Sequence, residues 1–220
     1  MSMQKQVVLV RPRHRDDDIT THTHAWSEEI KRLFEENDWT VTDCTTEKAT
    51  REFVEKVLTA QPDSLFVFYG HGDEDALIGQ DRSEVCDFRN VKLLGKRKIY
   101  AMACSSAKKG GLGDRAVNEY GALVYFGYIG RVKGYWSERD SQHGDMMDAL
   151  EQCVNSGMQT WIVQPELTAA EVKRKMLTVY DYWILYYGSP NSPVTKEKPW
   201  AHTIARKLAH NRKALEYTGR

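Results

Sequence analysis

Residues 65–72 read LFVFYGHG, and residues 98–106 read KIYAMACSS. The apolar run at 65–69 stops at a glycine and is too short for a helix, so it predicts a buried β-strand. The run at 98–103 predicts a second strand for the same reason. Each strand leads directly into a reactive side chain, His71 in the first case and Cys104 in the second. Ligand sites in open α/β sheets lie at such strand ends.

Strand-like and helix-like patterns alternate on both sides of these two runs. This alternation predicts an α/β fold with a central, mainly parallel sheet of about six strands, covered by helices on both faces. Further strands are predicted at 7–10 (stopped by Pro12), 39–41 and 122–126, and helices at 25–36, 50–58 and 114–120. In the second half, helices are predicted at 144–154, 168–187 and 202–217, with a proline-containing loop at 188–199.

Composition narrows the function classes. Lys plus Arg and Asp plus Glu both number 31, and this balance argues against a dedicated nucleic-acid binder, which needs excess positive charge. The apolar fraction of 41% excludes a disordered chain. The start, MSMQKQVVLV, has no long apolar segment, and no run approaches the roughly 18 residues of a membrane span. We therefore expect a cytoplasmic protein that contacts neither membrane nor nucleic acid directly.

The four cysteines, at positions 44, 86, 104 and 153, form no C-x-x-C pair, so we expect free thiols. Among them only Cys104 follows a strand next to a Gly-His-Gly turn. An imidazole supports the thiolate and later protonates a leaving amine, and backbone N–H groups stabilise the oxyanion. This pattern predicts acyl transfer with Cys104 as nucleophile, His71 as general acid/base and the amides of Gly72 and Cys104 as oxyanion donors. No cofactor and no metal is required.

The ordered pair "strand-Gly-His-Gly" and "strand-Ala-Cys-Ser-Ser" resembles the clan CD cysteine peptidases, which include caspases, gingipains, clostripain, separase and the bacterial CHAT domains. The resemblance covers residues 5–130. It implies a caspase-like (Rossmann-like) three-layer sandwich, a single peptidase domain over 1–220 and a helical, loop-rich part from 131 onward. Cys104 follows His71 by 33 residues, shorter than the about 50 typical of caspases, so the match is to the CHAT-like and gingipain-like branches.

In the resembling family, the loop after the first strand helps to build the pocket for the residue before the scissile bond. Here that loop and the turn after His71 offer charges of both signs: Arg13, Asp16, Asp17, Asp18, Asp73 and Asp75. Aspartates favour a basic substrate residue and arginines an acidic one, and we rank basic specificity slightly ahead. A carboxylate after His71 is an alternative orienter of the imidazole. His14, His22 and His24 with the aspartates offer a rival metal site, although their spacing matches no ligand pattern.

The sequence thus predicts a cysteine endopeptidase that cuts a protein or peptide substrate and is controlled by a partner or by processing. The alternative is a catalytically silent caspase-like module that binds a partner. A nucleotide-binding Rossmann regulator lacks support, because no G-x-G-x-x-G follows the first strand.

Overall fold

The computed structural model describes residues 5–220, and six strands build its central sheet. In chain order they are β1 (Gln6–Arg11), β2 (Thr40–Thr45), β3 (Leu65–Tyr69), β6 (Lys98–Met102), β7 (Val124–Tyr128) and β8 (Leu215–Gly219). A small hairpin, β4 (Leu77–Ile78) and β5 (Glu84–Cys86), separates β3 from β6. The helices are α1 (Asp18–Glu36), α2 (Arg51–Ala60), α3 (Leu112–Asn118), α4 (His143–Val163), α5 (Ala169–Gly188), α6 (Pro193–Glu197) and α7 (Ala201–Ala214).

The strand order in the sheet is β2-β1-β3-β6-β7-β8. Every neighbouring pair from β2 to β7 is parallel, and β8 alone runs antiparallel, beside β7. The prediction of a mainly parallel α/β sheet is confirmed. Parallel neighbours need long crossover connections, which α1, α2 and α3 supply for three of the pairs and the β4–β5 hairpin segment supplies between β3 and β6.

Both faces of the sheet are covered, because alternate residues of each strand point to opposite sides. Val7 and Leu9 of β1 face a core built with α1, α4, α5 and α7. Val8 and Val10 face a second core built with α2 and α3. This double burial explains why β3 has no charged residue: all five of its residues are buried.

Helix α1 begins at Asp18, seven residues earlier than predicted. Asp17 caps it, since its Oδ1 accepts a hydrogen bond of 3.0 Å from the amide of Ile19. The first turns are rich in Thr and His, which hid the helical pattern, yet Thr20 and Thr23 are fully buried. Helix α4 likewise runs to Val163, well beyond the predicted end at 154.

The C-terminal part differs most from the prediction. The helix predicted at 202–217 ends at Ala214, and residues Leu215–Gly219 form β8, so this prediction is wrong there. Strand β8 pairs with all five residues of β7 and thereby covers an edge that would otherwise expose unpaired backbone groups. The predicted loop at 188–199 contains the short helix α6, with Pro193 at its first position. Within residues 5–220, no helix has the length and hydrophobicity that crossing a bilayer requires.

Candidate active site

His71 and Cys104 leave the sheet side by side. Strands β3 and β6 are parallel neighbours, with Tyr69 opposite Met102. The pairing continues one step beyond the strand, where the amide of Gly70 donates to the carbonyl of Met102 at 3.1 Å. His71 and Cys104 each lie two residues past this last strand pair. The two residues therefore emerge at the same level and the same edge of the sheet.

The thiol of Cys104 lies half-buried beneath the loop that follows β7. Its Sγ accepts a hydrogen bond of 3.4 Å from the amide of Val132. Burial raises the pKa of Cys104 above its usual value, while the Val132 amide and the charge of Arg131 act in the opposite direction. The net effect favours the protonated thiol over the thiolate.

The backbone turns sharply just after the thiol. Ser105 has φ of +56°, a left-handed conformation that is uncommon for residues other than glycine. Its amide donates to the carbonyl of Gly130 at 3.0 Å. The turn is thereby tied to the loop after β7, which fixes the direction in which Cys104 faces. Strained backbone of this kind clusters at functional sites.

A carboxylate from a distant loop holds the imidazole of His71. The Nε2 atom of His71 lies 2.5 Å from Oδ2 of Asp17, and the two side chains are 34% and 14% exposed. Burial acts to raise the pKa of Asp17, but the hydrogen bond and charge of His71 and the Ile19 amide outweigh it and lower that pKa. When Nε2 donates its proton to Asp17, Nδ1 is the nitrogen left free to accept a proton.

Gly72 fits a narrow space between the two strand ends. A Cβ at this position would lie 2.9 Å from the Cβ of Ala103 and 3.0 Å from the carbonyl of Ala76, so only glycine fits without a shift. Gly72 also forms a bridge with Leu77. The hydrogen bonds of that bridge use the carbonyl of His71 and the amide of Asp73, not the N–H of Gly72. This N–H therefore stays available for a ligand.

A cleft of about 280 Å³ opens beside Cys104, lined by Gly72, Asp73, Glu74, Cys104, Ser105, Lys108 and Arg131. Only some of the charged side chains that line this cleft have a partner. Glu74 is paired with Lys108, and Oδ1 of Asp73 accepts the amides of Asp75 and Ala76. Arg131 is exposed and forms no ion pair with any of residues 5–220.

Of the six predicted pocket residues, only Asp73 lines the cleft. Asp17 instead holds His71 and caps α1. Arg13, Asp16, Asp18 and Asp75 are exposed, and the backbone of Arg13 is bonded on both sides to the side chain of Gln80. The sequence reasoning missed Arg131, which follows β7. That strand neighbours β6, so its loop reaches the same edge of the sheet.

The histidines considered for a metal site have other partners. Nε2 of His14 bonds the carbonyl of Gly79 at 3.0 Å, and Nε2 of His24 bonds the hydroxyl of Thr45 at 2.9 Å. His22 contacts His143, with ring centroids 4.8 Å apart. In the part of the chain that the structure describes, no group of three or more His, Cys, Asp or Glu residues is arranged to hold a metal ion.

The other three cysteines differ from Cys104. Cys44, Cys86 and Cys153 are free but fully buried. Burial raises the pKa of Cys44 and of Cys86 to about 12, and it also raises the pKa of Cys153. A thiol in such surroundings is inert. Cys104 is therefore the only one of the four cysteines whose side chain is not fully buried.

Searches against models of protein families and against curated proteins found no match to this chain. Any assignment of function therefore rests on the geometry described above.

Proposed function

We propose that this chain is a cysteine endopeptidase of the caspase-like kind, with Cys104 as nucleophile and His71 as general acid/base. One observation carries the proposal. His71 and Cys104 follow neighbouring parallel strands at the same level, and Asp17 binds Nε2 of the imidazole. The chain order, histidine first and cysteine on the adjacent strand, is the order that the resemblance to clan CD implies.

The first half of the reaction forms an acyl-enzyme. Nδ1 of His71 takes the proton of the Cys104 thiol as Sγ attacks the scissile carbonyl carbon. The carbonyl oxygen becomes an oxyanion, and the N–H groups of Gly72 and Cys104 are its proposed donors. When the C–N bond breaks, His71 gives its proton to the departing amine. Asp17 stabilises the imidazolium that exists between these two steps.

The second half releases the acyl group. His71 removes a proton from water, the resulting oxygen attacks the thioester, and the sulfur leaves with the proton returned to it. No cofactor takes part. Because burial raises the pKa of the thiol, the proposal has the base act during attack rather than before it. This requirement explains why the imidazole needs a fixed orientation.

The charges that line the cleft favour a substrate with an acidic residue before the scissile bond. Glu74 is neutralised by Lys108, and Asp73 is engaged by two backbone amides. Arg131 has no carboxylate partner in residues 5–220 and lies close enough to Cys104 to lower its pKa. An unpaired guanidinium binds a carboxylate well. We therefore reverse the slight preference for basic substrates that the loop aspartates suggested, since those aspartates do not line the cleft.

A pair of activity-based probes tests the proposal. Acyloxymethyl ketones carrying Asp or Lys next to the reactive group are added to the full chain, and mass spectrometry maps the modified residue. We expect labelling at Cys104, faster with the Asp probe, and none in a folded Cys104→Ala variant. Full peptide hydrolysis by Cys104→Ala, or labelling confined to another cysteine, would contradict the proposal.

A silent partner-binding module is the second candidate. The observation in its favour is that burial raises the pKa of the Cys104 thiol, which leaves little thiolate at rest. On this alternative, neither probe reacts with Cys104, although the chain is folded. If the chain is instead a peptidase controlled by a partner, labelling of Cys104 appears once that partner is added. We place either form in the cytoplasm, as the free cysteines suggest.

A further inference from the structure

A second cavity, of about 380 Å³, lies at the opposite end of the sheet from Cys104. Lys98, the first residue of β6, lines this basal cavity, whereas Cys104 follows the last residue of the same strand. Leu65 at the start of β3 lines it as well. The size suits a small organic molecule. The residues that give the cavity its character are Lys5, Trp39, Lys96, Arg97, Lys98 and Trp161.

The four cations of the basal cavity lack acidic partners. Within residues 5–220, none of these four side chains lies within 4.0 Å of a carboxylate, whereas Arg11, Arg51 and Arg212 each make such a pair. The single acidic residue lining the cavity is Asp63, which is exposed. Residues 1–4, which precede Lys5, are Met, Ser, Met and Gln and contain no carboxylate. The positive charge is therefore compensated only in part, by the more distant carboxylates of Asp63 near Arg97 and Glu166 near Lys98.

Arg97 is a buried cation that forms no ion pair with any of residues 5–220. It is only 3% exposed, and its terminal nitrogens donate to neutral acceptors: the carbonyls of Leu58 and Gln61 and the hydroxyl of Ser64. Its Nε is buried without any hydrogen-bond partner. Burial lowers the pKa of Arg97 to about 10. A buried guanidinium is costly unless its donors are satisfied, and carbonyls at the end of α2 accept hydrogen bonds from both terminal nitrogens. Arg97 therefore adds positive charge beside the cavity rather than a direct contact for a ligand.

Aromatic rings lie beside these cations. Nζ of Lys5 lies 5.7 Å from the ring centroid of the half-buried Trp39. Nζ of Lys98 lies 5.3 Å from the ring of Trp161 and donates to the carbonyl of Pro165 at 2.7 Å. A ligand that matches both features carries negative charge and a flat ring.

We propose that the basal cavity binds a small anion bearing a planar ring, the chemical class of the mononucleotides. The lysines Lys5, Lys96 and Lys98 would contact the phosphate, and Trp39 would stack on the base. The proposal differs from a Rossmann-type site, which uses a glycine-rich turn at the carboxyl ends of the strands. It also stands independently of the peptidase proposal, because it uses none of the same residues.

Isothermal titration calorimetry on the full chain tests the inference with AMP, GMP, CMP and UMP. Adenosine and inorganic phosphate serve as the two halves of the ligand. We expect at least one nucleotide to bind with Kd below about 1 mM, more tightly than either half. Lys98→Met should weaken that binding about tenfold or more, because it removes a charged donor. Lys92→Met, which removes an exposed cation outside the cavity, should leave it unchanged.

Trp39→Leu adds a second variant, expected to weaken nucleotide binding about fivefold or more while leaving phosphate binding unchanged. Thermal unfolding confirms that each variant is folded. Absence of binding by all four nucleotides overturns the proposal, and so does equal affinity in Lys98→Met and Lys92→Met. Phosphate binding as tightly as the nucleotides would overturn the role of the ring. Tighter binding of an oligoglutamate peptide would identify an acidic protein segment as the occupant instead.

Discussion

The Nε2 atom of His71 lies 2.5 Å from Oδ2 of Asp17, although 54 residues separate the two in the sequence. The contact joins the end of β3 to the start of α1. Asp17 uses its other carboxylate oxygen to cap that helix, so the imidazole is positioned by a side chain that is itself held rigidly.

Asp17→Asn should lower kcat/KM for a peptide substrate by about 10²–10³, because the amide cannot stabilise an imidazolium. Asparagine caps a helix as well as aspartate does, so the unfolding temperature should change little. Steady-state kinetics over a range of pH check the result. Asp16→Asn, which neutralises the exposed neighbouring carboxylate, is the matched control and should retain activity. Equal losses in both variants would contradict a positioning role for Asp17.

Arg131→Gln should slow alkylation of Cys104 by iodoacetamide at pH 8. The charge of Arg131 lowers the thiol pKa, so its loss raises that pKa further and reduces the thiolate fraction. We expect an effect of about 1.4- to fivefold, since an exposed charge contributes about 0.2–1 kcal/mol. The difference should shrink at high salt. Lys109→Gln, on the exposed loop after Cys104, is the control; a similar slowing there would show that the effect is not specific to Arg131.

Gly72→Ala should destabilise the protein by about 1–3 kcal/mol and reduce turnover. The added methyl would meet Ala103 at 2.9 Å and the carbonyl of Ala76 at 3.0 Å, which shifts the proposed oxyanion donor. Urea unfolding and peptide kinetics measure the two effects. Gly144→Ala is the control, because a Cβ there meets nothing within 4 Å. Unchanged stability and turnover in Gly72→Ala would contradict the close approach at this turn.

Glu151→Gln should stabilise the protein at pH 8 but not at pH 4. Burial, together with Glu29 and Asp148, raises the pKa of Glu151 to about 7. The folded state thus holds this proton more tightly than the unfolded state, and stability falls as pH rises from about 4.5 to about 7. We expect a gain of about 2–4 °C in unfolding temperature at pH 8. The exposed Asp38→Asn should show no such pH-dependent gain.

The sequence predicted the sheet and the two strand-end residues because both depend on local patterns. Continuous apolar runs such as Leu65–Tyr69 mark strands that are buried on both faces. In a parallel sheet such runs place the residues that follow them at one edge. No further information was needed to bring His71 and Cys104 to the same edge.

Other parts of the site depend on contacts that no local pattern encodes. Asp17 lies in a polar segment whose helical start is supported by buried threonines, so it was read as pocket lining. Arg131 follows β7, at the limit of the resemblance, and only the burial of Cys104 beneath that loop shows its importance. Strand β8 was predicted as helix because its pairing with β7 is a long-range contact.

The pairing of Leu215–Gly219 with Val124–Tyr128 has a consequence for biosynthesis. While the ribosome is still making the helices between these two strands, β7 is present with one edge free of its partner. Nascent chains on the same message, or a chaperone, then meet an apolar strand that can accept foreign backbone hydrogen bonds. The sheet gains its last strand only after residue 219 has emerged, so completion of the fold waits for that segment to dock on β7.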